Sequence, residues 1–99
     1  MTLGELTTLI VEVLSGLQRE SGRSDVEIVE TTRPIGDLPG FDSLSGLEAT
    51  VELADRLDCY IPEDTNLFVN ESGTRPLRVH QVAERLNRLL NSTITANGE

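Results

Sequence analysis

The sequence predicts an all-α fold: a four-helix bundle with three main helices, one short helix and a long first loop. Three observations predict it. Amphipathic stripes at helical spacing lie near both ends of the chain, a capped helical segment occupies the middle, and only one strand-like run is present. The chain has 99 residues, 37% of them hydrophobic and 3% aromatic. That length supports one compact domain with a small core of Leu, Val and Ile, and leaves little room for an internal catalytic cleft. A carried object or a binding module is expected, rather than an enzyme.

The elements follow in order. From Thr2 to about Glu20, apolar residues fall at Leu3, Leu6, Leu9, Ile10, Val13, Leu14 and Leu17, the three-and-four repeat of a helix with one buried face. Thr2 and Glu5 have the spacing of a capping box, and Gly22 is the expected stop. Residues 21–41 form a long connection with a strand-like run (Val26, Ile28, Val29), then Arg33-Pro34, Gly36 and Pro39-Gly40. Loops this long in compact domains have a job or pack their own apolar residues. Val26, Ile28, Val29, Ile35 and Leu38 are the residues expected to pack.

Asp42 is the expected N-cap of a second main helix running to about Asp58. Ile61-Pro62 is expected to end it, because the residue before proline avoids the helical region. The short helical turn is expected over residues 63–69, holding Leu67, Phe68 and Val69 against the core. A polar loop spans Asn70 to Pro76. The last helix is expected from Leu77 to Leu90, with Val79, Val82, Ala83, Leu86, Leu89 and Leu90 on one side. Residues 1–90 thus form the domain, and 91–99 a flexible polar tail.

Charge narrows the function classes. The net charge is −9, from 17 acidic and 8 basic residues, and every basic residue is Arg. Such a surface repels phosphate backbones and attracts basic protein partners, so nucleic acid is not an expected ligand. No stretch approaches the length of a membrane span, and the N-terminus does not read as a secretory signal. The single Cys59 cannot form an internal disulfide, which fits a reducing cytoplasm; a monomer is expected. Cys59 has no basic neighbour to activate it. His80 stands alone, so no metal site is expected. Glu52 with Arg56, and Glu84 with Arg88, have the spacing of helix-surface ion pairs.

The second main helix carries the functional signal. At about 100° per residue, Leu47, Ala54, Leu57 and Ile61 are expected to face the core. Glu48, Glu52 and Asp55 form an acidic stripe opposite, and Leu44 and Val51 fall on the border. Apolar residues flanked by carboxylates make a docking surface for a basic groove, or simply a wide apolar stripe beside a solvated face. At the head of this helix stands Gly40-Phe41-Asp42-Ser43-Leu44. Ser43 is therefore placed where free amides and the helix dipole favour an anion. It lacks the flanking glycines of a hydrolase nucleophile elbow.

Asp42-Ser43-Leu44 at a helix start resembles the attachment motif of acyl carrier proteins. Sixteen residues separate Leu44 from Ile61-Pro62, the family's distance to its own Ile-Pro pair, and Glu48 matches a family acidic position. The similarity covers about residues 3–90. It implies an acyl-carrier-like bundle in which Ser43 bears a covalent 4'-phosphopantetheine arm from coenzyme A, with Asp42 as motif and cap. It also implies a phosphopantetheinyl transferase as partner, together with acyl-loading, acyl-transfer or condensing enzymes that dock on Leu44, Glu48, Val51, Glu52 and Asp55. The chain departs from compact fatty-acid carriers in a longer segment after Ile61-Pro62, in Leu77-Arg78 before the last helix, and in Leu53 and Ala54 interrupting the acidic stripe. These departures point as readily to polyketide or related secondary metabolism as to fatty acid synthesis. The other readings are an unmodified carrier-like interaction subunit and an aminoacyl or peptidyl carrier, the latter opposed by Asp42 in place of a Gly-Gly-x-Ser context.

Overall fold

A computed structural model describes residues 2–23, 26–62 and 64–97, with side chains described through residue 91. It contains α1 (Leu3–Glu20), α2 (Pro34–Asp37), α3 (Ser43–Leu57) and α4 (Val79–Asn97), and no strand among the described residues. The fold is all-α. Helix α1 is the hub and packs against both α3 and α4.

The capping box expected at the start of α1 is formed. Glu5 N–H donates to Thr2 Oγ1 at 3.1 Å, and Thr2 N–H donates to the Glu5 carboxylate at 2.8 Å. At the other end Arg23 N–H reaches back to the Gln18 carbonyl at 2.7 Å, closing the helix around Gly22. Leu6, Ile10, Val13, Leu14 and Gln18 are buried, whereas Leu3 at the first turn is exposed.

The long first connection packs as a scaffold. Val26, Ile28 and Ile35 are half-buried against the core and Leu38 is buried within it, but Val29 faces outward at 43% exposure. The short helix lies here and not at residues 63–69. Pro34, with its φ fixed for a helix start, opens a single irregular turn in which Asp37 N–H donates to the Arg33 carbonyl, while Ile35 (ψ 104°) and Gly36 (φ 122°) lie outside helical geometry. Residues 64–69 instead run as non-helical turns, and Glu63 lies outside the described residues. Proline and a following glycine punctuate the first connection more tightly than anything in the second, which is why the turn closes there.

Helix α3 ends at Leu57, at the expected position near Asp58 and ahead of Ile61-Pro62. Asp58 adopts a left-handed conformation, φ 51° and ψ 49°, and Cys59 N–H donates to the Ala54 carbonyl at 3.0 Å. This is a Schellman-type stop with Asp in the position glycine usually fills. The core face of α3 also differs from expectation. Gly46, Ala49, Thr50 and Leu53 are buried, while Leu47, Ala54, Leu57 and Ile61 are only half-buried. The buried face is thus turned by about 70° from the one the large apolar residues mark. Small residues win because they let the helix backbone approach its neighbours closely.

Helices α3 and α4 are bridged by the 66–69 segment, where Leu67 and Phe68 are fully buried. Arg85 of α4 donates to the backbone carbonyls of Asn66 and Val69, and Phe68 meets Phe41 edge-on at 5.8 Å. The Asn70–Pro76 loop is tied by the Asn70 side chain, which accepts from Thr74 and Arg75 N–H, with Val69 bridged to Pro76. Helix α4 starts at Val79. Its first free amides are taken by the first connection, Val79 N–H to the Thr32 carbonyl at 2.8 Å and His80 N–H to that of Glu30 at 2.9 Å. Leu89, expected in the apolar stripe, sits at the surface. The helix continues to Asn97, past the expected end at Leu90, and residues 98–99 of the expected tail lie outside the described residues.

Candidate functional site

The site is the outward face of α3 and the turn that precedes it. Asp42 is extended, φ −117° and ψ −168°, and caps the helix: its carboxylate accepts from Ser45 N–H at 3.0 Å and Ser45 Oγ at 3.2 Å. These bonds stabilise the anion and hold the Asp42 carboxyl below its usual range, the Ser45 amide contributing most. Ser43 is the first helical residue and is exposed, and its hydroxyl makes no hydrogen bond among the described residues. Just upstream, the Arg23 guanidinium lies against Gly40, where any added Cβ would collide with it.

What holds this end of α3 lies on the opposite face. Asn66 donates to the Ser43 carbonyl at 3.0 Å and accepts from Phe68 N–H at 3.0 Å. Its amide packs so closely on Gly46 that a Cβ there would stand 2.7 Å from Asn66 Oδ1. Thr50 Oγ1 donates to the Gly46 carbonyl at 2.8 Å and accepts from Leu67 N–H at 3.1 Å. Buried polar groups in this seam are therefore paired, and no buried side-chain nitrogen or oxygen among the described residues lacks a partner. Ser43 is presented on a helix end clamped from behind.

The face around it is open. Leu44 and Val51 are 63% and 66% exposed. They do not border the core stripe as expected. With the core face turned, they stand near the middle of the solvent side, and Leu53 belongs to the core rather than to a broken acidic stripe. Glu48 and Asp55 are exposed beside them, and Glu52 is half-exposed. Glu52 is engaged by Arg56 at 2.9 Å, the one ion pair among the described residues. The expected Glu84–Arg88 pair is not formed. Glu48 and Asp55 have no ion-pair partner among the described residues.

Three contributors had no signal in the pattern of large apolar residues: Asn66, Thr50 and Gly46. A mid-helix glycine followed four residues later by threonine is a weak marker of close backbone approach; Asn66 leaves none. Tyr60, 83% exposed beyond the helix end, was also not marked by periodicity. Cys59 is half-buried, and burial, with Asp58 beside it, pushes its thiol pKa up, so it is a weak nucleophile. No cluster of three His, Cys, Asp or Glu side chains among the described residues is placed to hold a metal. No helix among them is long and apolar enough to cross a membrane. No family model, curated protein or solved structure matches this chain.

Proposed function

We propose that this chain is an acyl carrier protein, holding acyl groups as thioesters on a 4'-phosphopantetheine arm esterified to Ser43. The observation that carries the reading is Ser43 itself: an exposed hydroxyl with no partner among the described residues, on the first residue of α3, behind the Asp42 cap and inside Asp42-Ser43-Leu44. The residues fit the group. A phosphodiester on Ser43 would meet the positive end of the α3 dipole, and Arg23 supplies a cation at the entrance to the same turn.

The arm supplies the thiol on which acyl groups ride; the chain itself positions the attachment point and offers the surface that partners read. No His or Lys stands near Ser43 to activate it. A separate phosphopantetheinyl transferase would take the hydroxyl proton and join Ser43 Oγ to phosphorus, displacing the nucleotide part of coenzyme A. Loading, acyl-transfer or condensing enzymes with basic surfaces would then dock on Leu44, Glu48, Val51, Glu52 and Asp55. The acidic charge favours such encounters and keeps nucleic acid away. This reading places the chain in the cytoplasm, in fatty acid, polyketide or related biosynthesis. Mass spectrometry of the protein from its native cells tests it. The peptide containing Ser43 should carry phosphopantetheine, with or without an acyl group. A population wholly unmodified at Ser43 would make the chain a carrier-like interaction subunit instead.

A further inference from the structure

The side chain that grips the backbone of Ser43 comes from a distant part of the sequence. Asn66 is half-buried and 23 residues away, yet its Nδ2 donates to the Ser43 carbonyl at 3.0 Å. A carbonyl has two lone pairs, so this one accepts from Asn66 and still serves the first helical bond, from Leu47. Asn66 is itself held. Its Oδ1 accepts from Phe68 N–H at 3.0 Å, and its backbone carbonyl accepts from Arg85 of α4 at 3.0 Å. Gly46 supplies the space, since a Cβ there would stand 2.7 Å from Asn66 Oδ1 and 2.8 Å from Nδ2. Asp42 caps the same turn by accepting from Ser45 N–H, whereas Asn66 fixes the carbonyl of Ser43 from behind.

We propose that Asn66 is a positioning residue for the modification of Ser43: its amide, seated on Gly46, holds the Ser43–Leu44 peptide in the pose that presents Ser43 Oγ to the transferase. The proposal rests on the carrier reading. Helix ends fray, and Ser43 stands on the first residue of α3. Without the Asn66 bond the presenting pose is only a fraction of the population, and apparent affinity for the enzyme falls by that fraction. Chemistry at the hydroxyl, once bound, is unchanged. KM therefore rises while kcat holds. An Asn66 that merely braced the fold would lower the unfolding midpoint and leave KM alone.

Two substitutions break this contact in different ways. Asn66→Asp keeps the acceptor for Phe68 N–H and removes the donor to Ser43. Gly46→Ala keeps Asn66 but pushes its amide aside, which the fold tolerates because that amide is the far end of a side chain. Each full-length variant is compared with wild type in transferase kinetics at saturating coenzyme A with magnesium, in urea unfolding, and by amide NMR. The Leu44 amide is the probe, because it shares a peptide unit with the Ser43 carbonyl. Each variant should raise KM for the chain about fivefold, the presenting pose falling to about a fifth of the population. The Leu44 signal should shift and kcat should hold. The double variant should match the worse single one, since both remove the same contact. Wild-type KM in both variants despite a shifted Leu44 signal would overturn the positioning role. So would a raised KM with the Leu44 signal unmoved, since Asn66 would then act elsewhere. A wild type left unmodified beside a control carrier that is modified would instead overturn the carrier reading itself, and this proposal with it.

Discussion

The two faces of α3 obey different rules. On the inward face Gly46, Ala49, Thr50 and Leu53 are buried and every polar group is paired. On the outward face Leu44 and Val51 stand in solvent, and Ser43 has a hydroxyl with no partner among the described residues. The first face spends its side chains on position, and the second leaves chemistry and contact area unused by the fold. A change on one face should therefore be read by thermodynamics, and on the other by function.

The largest effect should come from Leu53→Ala. Leu53 is wholly buried, so the cavity and lost transfer energy should lower unfolding free energy by about 3 kcal/mol, within the range for such truncations. Thr50→Val should cost about 1–3 kcal/mol, because the buried Leu67 amide loses its acceptor while shape is kept. Urea unfolding curves measure both. Losses under about 0.5 kcal/mol, typical of surface positions, would erase the distinction between the faces.

On the outward side the order reverses. Val51→Asp should leave the unfolding midpoint nearly unchanged yet slow acyl or phosphopantetheine transfer several-fold at any salt concentration, since it puts a charge into a desolvated contact. Glu48→Arg should slow transfer mainly at low salt, where long-range attraction counts most. Stopped-flow or quenched transfer assays at two ionic strengths separate these. Wild-type rates in both variants would move docking away from α3.

The smallest effect joins the faces at the cap. The Asp42 carboxyl is held below its ordinary value by Ser45, so the folded state binds its proton less readily than the unfolded chain does. This contribution is present above the unfolded pKa, near 4, and is lost as pH falls through the lower folded value. Asp42→Asn keeps the capping oxygen and removes the titration. Its stability should fall less steeply with acid than the wild type's. Parallel acid limbs in pH-dependent melting would show that the cap does not sense protonation.

Helices α1, α3 and α4 were legible because Leu, Val and Ile recur at three and four, and because Thr2, Glu5 and Asp42 are polar residues at the right offsets to cap. The motif around Ser43 was legible for the same reason, as a cap beside an exposed first turn. The orientation of α3 was not. Counting large apolar residues favoured Leu47 and Ala54, but burial is decided by what the neighbour needs, and Asn66 needs Gly46 to be small. The misplaced short helix has a similar origin. Leu67, Phe68 and Val69 look like a helical turn when only apolarity is weighed, yet their backbone is committed to Thr50, Arg85 and the Asn70 loop. Long-range hydrogen bonds of that kind leave no periodic trace in a sequence.

The most direct test of the division between faces is at Ser43. Wild type and Ser43→Ala are incubated with coenzyme A, magnesium and a broad-specificity phosphopantetheinyl transferase, followed by intact mass and then thermal melting. The wild type should gain one phosphopantetheine. The variant should gain none and melt at the same temperature, because its lost hydroxyl is exposed and has no partner among the described residues. Modification persisting in Ser43→Ala, or no gain by the wild type beside a control carrier that is modified, would contradict the account.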